Sequence, residues 1–415
     1  MELLPKYKLY NPKPYQADWN SLKKDALNLA IKILKNIELQ NNYLEATILQ
    51  KRKLIALTRT LKNLFVNMNK VKKNNHNFVP LFYIWTMTNN CNFDCTYCSN
   101  HRGGTYPDLY NSGYTKDLTT NQGKRLLEIM KESSAIYWCG GEPTIRRDLP
   151  ELLDYSCKLN MFNMINTNGS LIGDLLVKPR YKKFLKQMDV IIISLDSLNP
   201  TQLSEMYRVN EKVSKKVLRN ILCLKILQDY VPFKLTANTV ITRDTIQESF
   251  DILNFCNDLG ITFSPVSANL GHEPDWELLN NPRYKKLVKL IIHRAKQGYP
   301  MIASPKMLAN LLNFNGFNCF PVVFDHIDYD GRIYWPCKAY QDAAMINVLD
   351  FKNVKEAHKA AEKIIDPTFF HGNGLGKCNG QCAWMQNCVT DTYASALFEG
   401  IFGSKILQEI KGLIN

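Results

Sequence analysis

Residues 81–98 read LFYIWTMTNNCNFDCTYC, an apolar run followed at once by a loop that carries Cys91, Cys95 and Cys98. The apolar run is rich in aromatic and β-branched residues, which predicts a buried strand over residues 81–87. Thiolates are the usual ligands of iron–sulfur cubes, and three local thiolates leave one iron without a protein ligand. The loop therefore predicts an iron–sulfur site with one iron open to a substrate or cofactor.

A zinc knuckle is the competing interpretation of this loop, because zinc is also bound by thiolates. Such a knuckle normally has a fourth Cys or His nearby, and His101 is the candidate at a suitable spacing after Cys98. We favour iron, since no other Cys or His stands close to the three thiols in the sequence.

After the first strand, short β-type runs alternate with helical patterns such as 120–132, capped by Thr119 or Thr120, and 245–259, closed by Gly260. This alternation predicts parallel βαβ units with right-handed crossovers. We therefore expect an α/β fold, a partial (β/α)6 barrel whose functional side chains gather at the C-terminal ends of the strands. The predicted strands are 81–87, 135–139, 162–167, 189–194, 235–241 and 261–266.

The chain is expected to have three parts. Residues 1–79 form an N-terminal helical extension, residues 80–267 the barrel, and residues 268–415 two helices near 281–295 and 306–314, a cysteine-rich region and a C-terminal helix over 393–415. The extension is helical over residues 14–70 and is followed by a linker over 71–80. Its apolar stripe is expected to pack on the barrel rather than on a membrane. This stripe consists of Leu54, Leu57, Leu61, Leu64 and Met68.

Charge is unevenly distributed along the 415 residues. Residues 1–80 carry fifteen Lys or Arg against five Asp or Glu, a net of +10 out of the chain's +14. Such a segment favours an anionic partner, such as RNA, a membrane surface or an acidic peptide, although a solvated helical face is the alternative. No apolar stretch approaches the roughly 20 residues of a membrane span, and the start of the chain lacks a secretory signal, so we expect a cytoplasmic protein.

The twelve cysteines of so long a chain point to metal binding or catalysis rather than to a disulfide framework. Four occur singly in apolar segments and are expected to be core thiols. These four are Cys139, Cys157, Cys223 and Cys256.

A second cysteine group lies towards the C-terminus. Cys319 and Cys337 bracket a hairpin pattern that turns at Asp330-Gly331. Three more follow after a helical spacer, namely Cys378, Cys382 and Cys388. Four thiolates suit zinc as well as an iron–sulfur cluster, so the pattern leaves the metal open.

The C-x3-C-x2-C spacing, with an aromatic residue before its last cysteine, resembles the hallmark of the radical S-adenosylmethionine (SAM) superfamily. The resemblance extends over residues 81–266. The segment WCGGEP at 138–143 is similar to the family's GGEP segment, while NTNG at 166–169 and SLDS at 194–197 end the third and fourth predicted strands.

The resemblance implies that Cys91, Cys95 and Cys98 hold a [4Fe–4S] cluster whose open iron binds SAM. Glycines permit a close backbone approach, and the Glu142 carboxylate can pair with the SAM ammonium. Arg208 is similar to the arginine that meets the SAM carboxylate. The residues implied to bind the cofactor are Tyr97, Gly140, Gly141, Glu142, Pro143, Asn168, Ser194, Arg208 and Val240.

The second cysteine group resembles the twitch or SPASM auxiliary-cluster regions of the same superfamily. It has five cysteines instead of seven, and C-x3-C where C-x2-C is common. One auxiliary [4Fe–4S] cluster is therefore implied. Cys388 is the ligand left out, although Asp391 beside it keeps a second, mixed-ligand cluster open.

The activity implied by the resemblance is reductive cleavage of SAM to a 5′-deoxyadenosyl radical, which abstracts a hydrogen atom from the substrate. The expected outcome is oxidative modification or crosslinking of a peptide or small metabolite, with a reductant such as flavodoxin or ferredoxin as partner. One alternative is a lipid- or nucleic-acid-modifying enzyme of the same superfamily, and another is a non-catalytic iron–sulfur or zinc redox-responsive regulator. Glu142 and its glycines speak against the regulator, because a structural site would not require them.

Overall fold

The computed structural model describes residues 16–37, 43–73, 78–98, 116–270, 273–315, 324–337 and 344–365. Six parallel strands lie side by side in chain order, as the sequence predicts. They are β1 (Phe82–Thr86), β2 (Ala135–Cys139), β3 (Phe162–Thr167), β4 (Val190–Ser194), β5 (Lys234–Ile241) and β6 (Thr262–Ser267). A two-stranded sheet of β7 (Asn269–Leu270) and β8 (Glu273–Pro274) follows.

Helices cover the outside of these strands. The first two, α1 (Gln16–Asn36) and α2 (Tyr43–Lys72), precede β1. The helices between the strands are α3 (Thr120–Ile129), α4 (Leu149–Lys158), α5 (Ile172–Leu176), α6 (Phe184–Gln187), α7 (Pro200–Tyr207), α8 (Glu211–Leu227) and α9 (Ile246–Leu259). Those after β8 are α10 (Trp276–Asn280), α11 (Pro282–Lys296), α12 (Pro305–Leu312) and α13 (Val354–Glu362). Within the described residues, no helix is long and apolar enough to cross a bilayer.

The ends of the helices follow their sequence signals. Thr119 and Gln122 form a reciprocal capping box at the start of α3, as its Thr predicts. Gly260 ends α9 in the left-handed conformation that lets its N–H reach back to the last turn. These caps fix where each helix returns to the next strand.

Successive residues of each strand point alternately to the helices and to the barrel interior. Outward residues such as Trp85, Ile165 and Ile193 belong to the main hydrophobic core. Their neighbours, such as Asn166 and Ser194, lie on the opposite face and line the interior. The interior is therefore built from a different set of side chains than the core.

The predicted hairpin after Cys319 is confirmed, but it joins the barrel sheet. Its strands are β9 (Phe324–Ile327) and β10 (Arg332–Trp335), followed by β11 (Ala344–Asn347). β9 pairs in parallel with β1, so that Phe82 lies opposite Phe324 and their rings are 3.8 Å apart. The sheet thus has nine strands, in the order β11-β10-β9-β1-β2-β3-β4-β5-β6. The proposed boundary at residue 267 stays a prediction, but one sheet runs across it.

Helix α1 joins the main core through Trp19, Ala26, Ala30 and Ile33, which are fully buried. Helix α2 differs. Its buried side chains include Arg52, Asn63 and Asn67, whereas Leu54 and Phe65 are 63% and 54% exposed. The expectation that the leucine stripe packs on the barrel is met only in part, because Leu64 is buried but Leu54 is exposed, and the polar side of α2 makes the hydrogen bonds.

Hydrogen bonds attach that polar side to the loops that precede the strands. Arg52 binds the Asp189 carboxylate with both terminal nitrogens, at 2.7 and 2.8 Å, and also donates to the Met161 carbonyl. Arg59 donates to the carbonyls of Ser133 and Leu159. Each of these loops presents backbone acceptors that an apolar side chain would leave without partners.

The substitution Arg52→Met should lower the free energy of unfolding by about 3 kcal/mol, because it leaves the buried Asp189 carboxylate without its bidentate partner. Chemical denaturation of the purified chain measures this loss. The control is Lys51→Met on the same helix, whose side chain is exposed, and we expect a change within about 0.5 kcal/mol. Equal stability of the two variants would contradict the assigned role of Arg52.

Candidate cluster and cofactor site at the barrel mouth

Residues 88–98, called the cysteine loop below, run along the C-terminal ends of the parallel strands. Backbone bonds join the start of the loop to the end of β2, since Gly141 donates to Thr88 and Glu142 donates to Asn90, both at 2.8 Å. Further along the loop, Asn92 donates to the Ser170 hydroxyl at 3.0 Å, beyond the end of β3. The loop is thus fixed at several points around the barrel mouth.

Gly140 and Gly141 are required by this contact. A Cβ atom on Gly140 would lie 2.4 Å from the Thr88 carbonyl oxygen, and one on Gly141 would lie 2.1 Å from that of Asn90. Gly140 also has φ +144°, which favours glycine. The close backbone approach that we predicted here is therefore an approach to the cysteine loop itself.

Glu142 is fully buried and joins the ends of β2 and β3. One carboxylate oxygen accepts from the hydroxyls of Thr144 and Thr167, at 2.5 and 2.6 Å, and the other accepts from the N–H of Asn168 at 2.7 Å. Burial raises the pKa of the Glu142 carboxyl, and these hydrogen bonds oppose that rise. In this structure the carboxylate is held by neutral donors.

Asp196 forms a second buried junction, after β4. Its carboxylate accepts from the Tyr97 hydroxyl at 2.5 Å, the Tyr207 hydroxyl at 2.9 Å and the Val240 N–H at 2.7 Å. Burial raises the pKa of the Asp196 carboxyl to about 6, against the effect of these donors. Because Tyr97 stands between Cys95 and Cys98, this junction ties the cysteine loop to β4 and β5.

The last part of the loop is bound to the end of α7. Thr96 donates its N–H to the Met206 carbonyl at 2.9 Å. The exposed Arg208 has a left-handed backbone, with φ 49°, and its guanidinium lies 3.1 Å from the Asp94 carboxylate within the loop. The arginine predicted to meet the SAM carboxylate therefore lies beside the cysteines, where it now pairs with an acidic residue.

Three half-buried thiols lie within this frame. Burial raises the pKa of Cys91 to about 11 and raises that of Cys95 further, with smaller contributions from Glu142 and Asp196 respectively and from the neighbouring cysteines. A thiolate in such surroundings needs a compensating positive charge, which bound metal supplies. The N–H of Phe93 also points at the Cys91 sulfur, at 3.4 Å.

The three thiols do not form a ready-made site for a single metal ion. Within the described part of the chain, no three Cys, His, Asp or Glu side chains converge closely enough to hold one metal ion. Three half-buried thiols on one loop match the number of protein ligands of a cluster with one open iron. His101, the candidate fourth ligand of a zinc knuckle, lies outside the described residues.

The remaining cofactor residues expected from the sequence lie at the same mouth. Pro143 begins a short 3-10 helix (Pro143–Ile145) directly after Glu142. The Asn168 side chain donates to that of Asn92 in the cysteine loop, at 2.9 Å. Ser194 and Val240 are half-buried and face the interior from β4 and β5.

Sequence reasoning missed three residues that shape the site. Asp196 stood only within the strand-end motif SLDS without a role, and Tyr207 was not singled out. Arg146 gave no motif signal, yet it is buried and donates to the carbonyls of Met87 and Leu118, at 2.7 and 2.8 Å. A polar residue directly after a buried strand was the available signal for Asp196.

The structure bears unevenly on the other cysteines. Cys223 and Cys256 are buried core thiols, as expected, whereas Cys157 is half-buried. Cys139 is also half-buried and faces the barrel interior from β2, because its neighbour Trp138 points to the core. The core interpretation of Cys139 was therefore wrong, since its position on β2 has the parity of the inner face.

Only Cys337 of the second group is described, and it is fully buried directly after β10. β9 runs parallel to β1, and β10 runs antiparallel to β9. Cys337, which follows β10, therefore lies at the end of the barrel where β1 begins. Cys319, Cys378, Cys382 and Cys388 lie outside the described residues, as does the predicted C-terminal helix.

The variant Asp196→Asn should release the cysteine loop, because an amide cannot accept all three donors that the carboxylate accepts. We expect a loss of about 2 kcal/mol in unfolding free energy and faster hydrogen exchange at the amides of residues 93–98. Asp174→Asn, a half-exposed acidic residue on α5, is the control. Unchanged exchange in the loop of Asp196→Asn would contradict the assigned contact.

The chain matches the family model described as Radical SAM superfamily over residues 85–256. It is 30% identical over 224 residues to the Fe-coproporphyrin III synthase of Methanosarcina barkeri, spanning 52% of this chain and 53% of that protein. It is also 30% identical over 241 residues to the S-adenosylmethionine-dependent nucleotide dehydratase of Selenomonas ruminantium, spanning 56% of this chain and 72% of that protein.

The fold is similar to that of Streptococcus suis SuiB in its crystal structure bound to S-adenosylmethionine. The TM-score is 0.50 at 18% identity, covering 72% of this chain and 69% of SuiB. The chain spans only about half the length of the Methanosarcina relative but nearly three quarters of the Selenomonas one. The matched residues include the cysteine loop and the ends of β2 to β5, and on this evidence the chain belongs to the radical SAM superfamily of enzymes.

Proposed function

We propose that this chain cleaves SAM reductively at a [4Fe–4S] cluster held by Cys91, Cys95 and Cys98. The resulting radical would abstract a hydrogen atom from an uncharged substrate, for oxidative modification or crosslinking of a peptide or small metabolite. The observation that carries the proposal is the cysteine loop, which is fixed across the mouth of a barrel with an almost uncharged interior.

When bound, the cluster and SAM would supply an electron and a 5′-deoxyadenosyl radical, the reactive species that the protein itself does not provide. The protein's part is positioning. Tyr97, held by Asp196, orients the segment between two of the cysteines, and the buried Glu142 fixes the ends of β2 and β3, which would line the SAM site. Arg208, which pairs with Asp94, would bind the SAM carboxylate, and the half-buried Val240 would provide an apolar contact for the adenine.

The inner faces of β1 to β6 favour a neutral substrate. Their positions contain no Asp or Glu, and Lys234 is the one charged residue among them. A substrate with several phosphates would need more cations than this, and a cationic substrate would have no counter-charge. Near the mouth the lining is polar and uncharged, formed by Thr86, Cys139, Asn166, Ser194, Thr236, Asn238 and Ser264.

Two of these polar atoms support recognition of a substrate with N–H or O–H groups. Asn166 Oδ1 and Thr236 Oγ1 are buried and have no hydrogen-bond partner within the described chain. Asn166 and Thr236 flank Ile192 in the strand register, so both lie at one level of the barrel. Amide or hydroxyl hydrogens of a peptide would satisfy these acceptors.

An auxiliary [4Fe–4S] cluster is the second part of the proposal. Its ligands would be Cys319, Cys337, Cys378 and Cys382, with Cys388 left out. Cys337 lies at the opposite end of the barrel from the cysteine loop. This position supports a cluster on the far side of the substrate chamber. Such a cluster would take an electron from the substrate radical or bind the substrate, and an external reductant such as flavodoxin or ferredoxin would supply the first electron.

Anaerobically reconstituted protein should release 5′-deoxyadenosine when dithionite and SAM are added. The variant Cys95→Ala should lose at least about 100-fold of this activity, because the cluster loses one of three ligands. Chromatographic detection of 5′-deoxyadenosine measures the loss. Cys256→Ala, which changes a buried core thiol, should stay within a few-fold of the wild type, and equal activity of the two variants would refute the proposed ligand role.

Iron and sulfide analysis tests the number of clusters. We expect about eight irons per chain in the wild type and about four in a chain with Cys91, Cys95 and Cys98 changed to Ala, because the second cysteine group is separate. Cys337→Ala should lose the other four. About four irons in the wild type, or zinc bound at the second group, would show that the auxiliary cluster is absent.

A further inference from the structure

Helix α2 is attached to the barrel largely by polar side chains, which is unusual for an amphipathic helix. Its hydrogen bonds to the barrel are made by Arg52, Arg59, Asn63 and Asn67, each of which donates to a backbone carbonyl. Ala56 and Leu64 are the buried apolar residues beside them. The hydrophobic effect normally decides which side of a helix faces the protein. Here hydrogen bonds hold most of the inner side, and Leu54 and Phe65 stay on the outside although Leu64 is buried.

The outer side of α2 carries a continuous apolar strip with basic residues beside it. Leu54, Leu61 and Phe65 lie on one line at spacings of seven and four residues. Leu54 is 63% exposed and Phe65 54% exposed, with Leu61 half-buried between them. On one flank of this strip stand the exposed Lys51 and Lys62. We call this surface the outer face of α2.

After Glu45 in its first turn, α2 has no acidic residue to oppose this basic charge. Residues 46–80 contain no Asp or Glu. Of the basic residues, Arg52 and Arg59 are used for packing, while Lys51 and Lys62 point to solvent. The outer face therefore combines exposed apolar side chains with positive charge that has no acidic neighbour in the same helix.

We propose that the outer face of α2 binds the surface of an anionic phospholipid bilayer. Leu54 and Phe65 would enter the boundary between headgroups and acyl chains, and Lys51 and Lys62 would lie among the lipid phosphates. This is the arrangement of interfacial amphipathic helices. It needs no membrane-spanning segment.

Charge and chemistry favour a bilayer over two other occupants. A second copy of this chain would bring Lys51 and Lys62 against the same residues of the partner, and like charges repel. A nucleic acid would use the lysines but would leave Leu54 and Phe65 without an apolar environment, since phosphate contacts are made by basic and polar groups.

The topology sets the orientation of the bound protein. The inner side of α2 contacts the carbonyls of Glu132, Ser133 and Met161, which directly precede β2 and β3. The helix therefore lies at the end of the barrel where the strands begin, and the cysteine loop lies at the opposite end. A docked molecule holds its barrel mouth away from the bilayer, so the membrane fixes the location of the protein rather than supplying lipid to the site.

Vesicle sedimentation of the full chain, handled without oxygen, tests the proposal. We expect binding to vesicles with about 30% phosphatidylserine, little binding to pure phosphatidylcholine, and weaker binding as salt rises from about 0.1 to 0.5 M. The double variant Leu54→Gln and Phe65→Gln should bind at least about tenfold more weakly, because it removes the apolar anchors and keeps the charge. Lys51→Gln with Lys62→Gln should lose the salt-dependent part.

Trp276→Gln is the matched control, since Trp276 is an exposed apolar residue, 52% accessible, on α10. It should bind like the wild type. Absence of binding to anionic vesicles, or equal binding by the Leu54 and Phe65 variant, overturns the proposal. Three other results for the Leu54 and Phe65 variant also overturn the proposal. A change from dimer to monomer in light scattering would show that a second copy covers this face, and a melting temperature well below that of the wild type would show that a segment of this chain does. Binding of single-stranded RNA with the full affinity of the wild type would point to a nucleic acid.

Discussion

The structure depends on one constraint, the attachment of the cysteine loop to the ends of several strands at once. Gly140 and Gly141 admit its first residues, Asp196 holds its Tyr97, and the end of α7 binds its Thr96. All of these contacts are made by the polypeptide. The loop can therefore present Cys91, Cys95 and Cys98 in a fixed arrangement at the barrel mouth, where the half-buried thiols require a cationic group before they can ionise.

The carboxylates at the mouth are buried and hydrogen-bonded, and the chamber below the mouth is nearly uncharged. Glu142 and Asp196 accept hydrogen bonds from hydroxyl and amide donors. Their carboxylates therefore position the loop and the strand ends and are not available to a substrate. Further inside, the rings of Phe82 and Phe324 contact each other at an interplanar angle of 37°. A radical enzyme gains from such a chamber, since water and competing groups are kept away from the reactive carbon. The two ends of the barrel therefore differ in role: the cysteine loop lies at one end, and α2 is attached at the other.

Much of this could be predicted because it is local in sequence. Alternating apolar runs predicted the six parallel strands, and the cysteine spacing predicted the position of the site after β1. The packing of α2 could not be predicted from the sequence. The acceptors of Arg52 and Arg59 are loop carbonyls and a carboxylate that lie more than seventy residues away along the chain. The stripe of leucines was the stronger local signal, yet Leu64 is its one fully buried residue and Leu54 is exposed. Likewise the pairing of β9 with β1 and the junction at Asp196 join distant segments, and no periodicity reports such contacts.

Low-temperature electron paramagnetic resonance of the reduced, anaerobically reconstituted protein tests the central claim most directly. If the cysteine loop holds a [4Fe–4S] cluster with one iron open to SAM, the spectrum should contain a signal whose shape changes when SAM is added and which is missing from the Cys95→Ala protein. A spectrum that ignores SAM, or a loop that carries zinc in place of iron, would contradict the account.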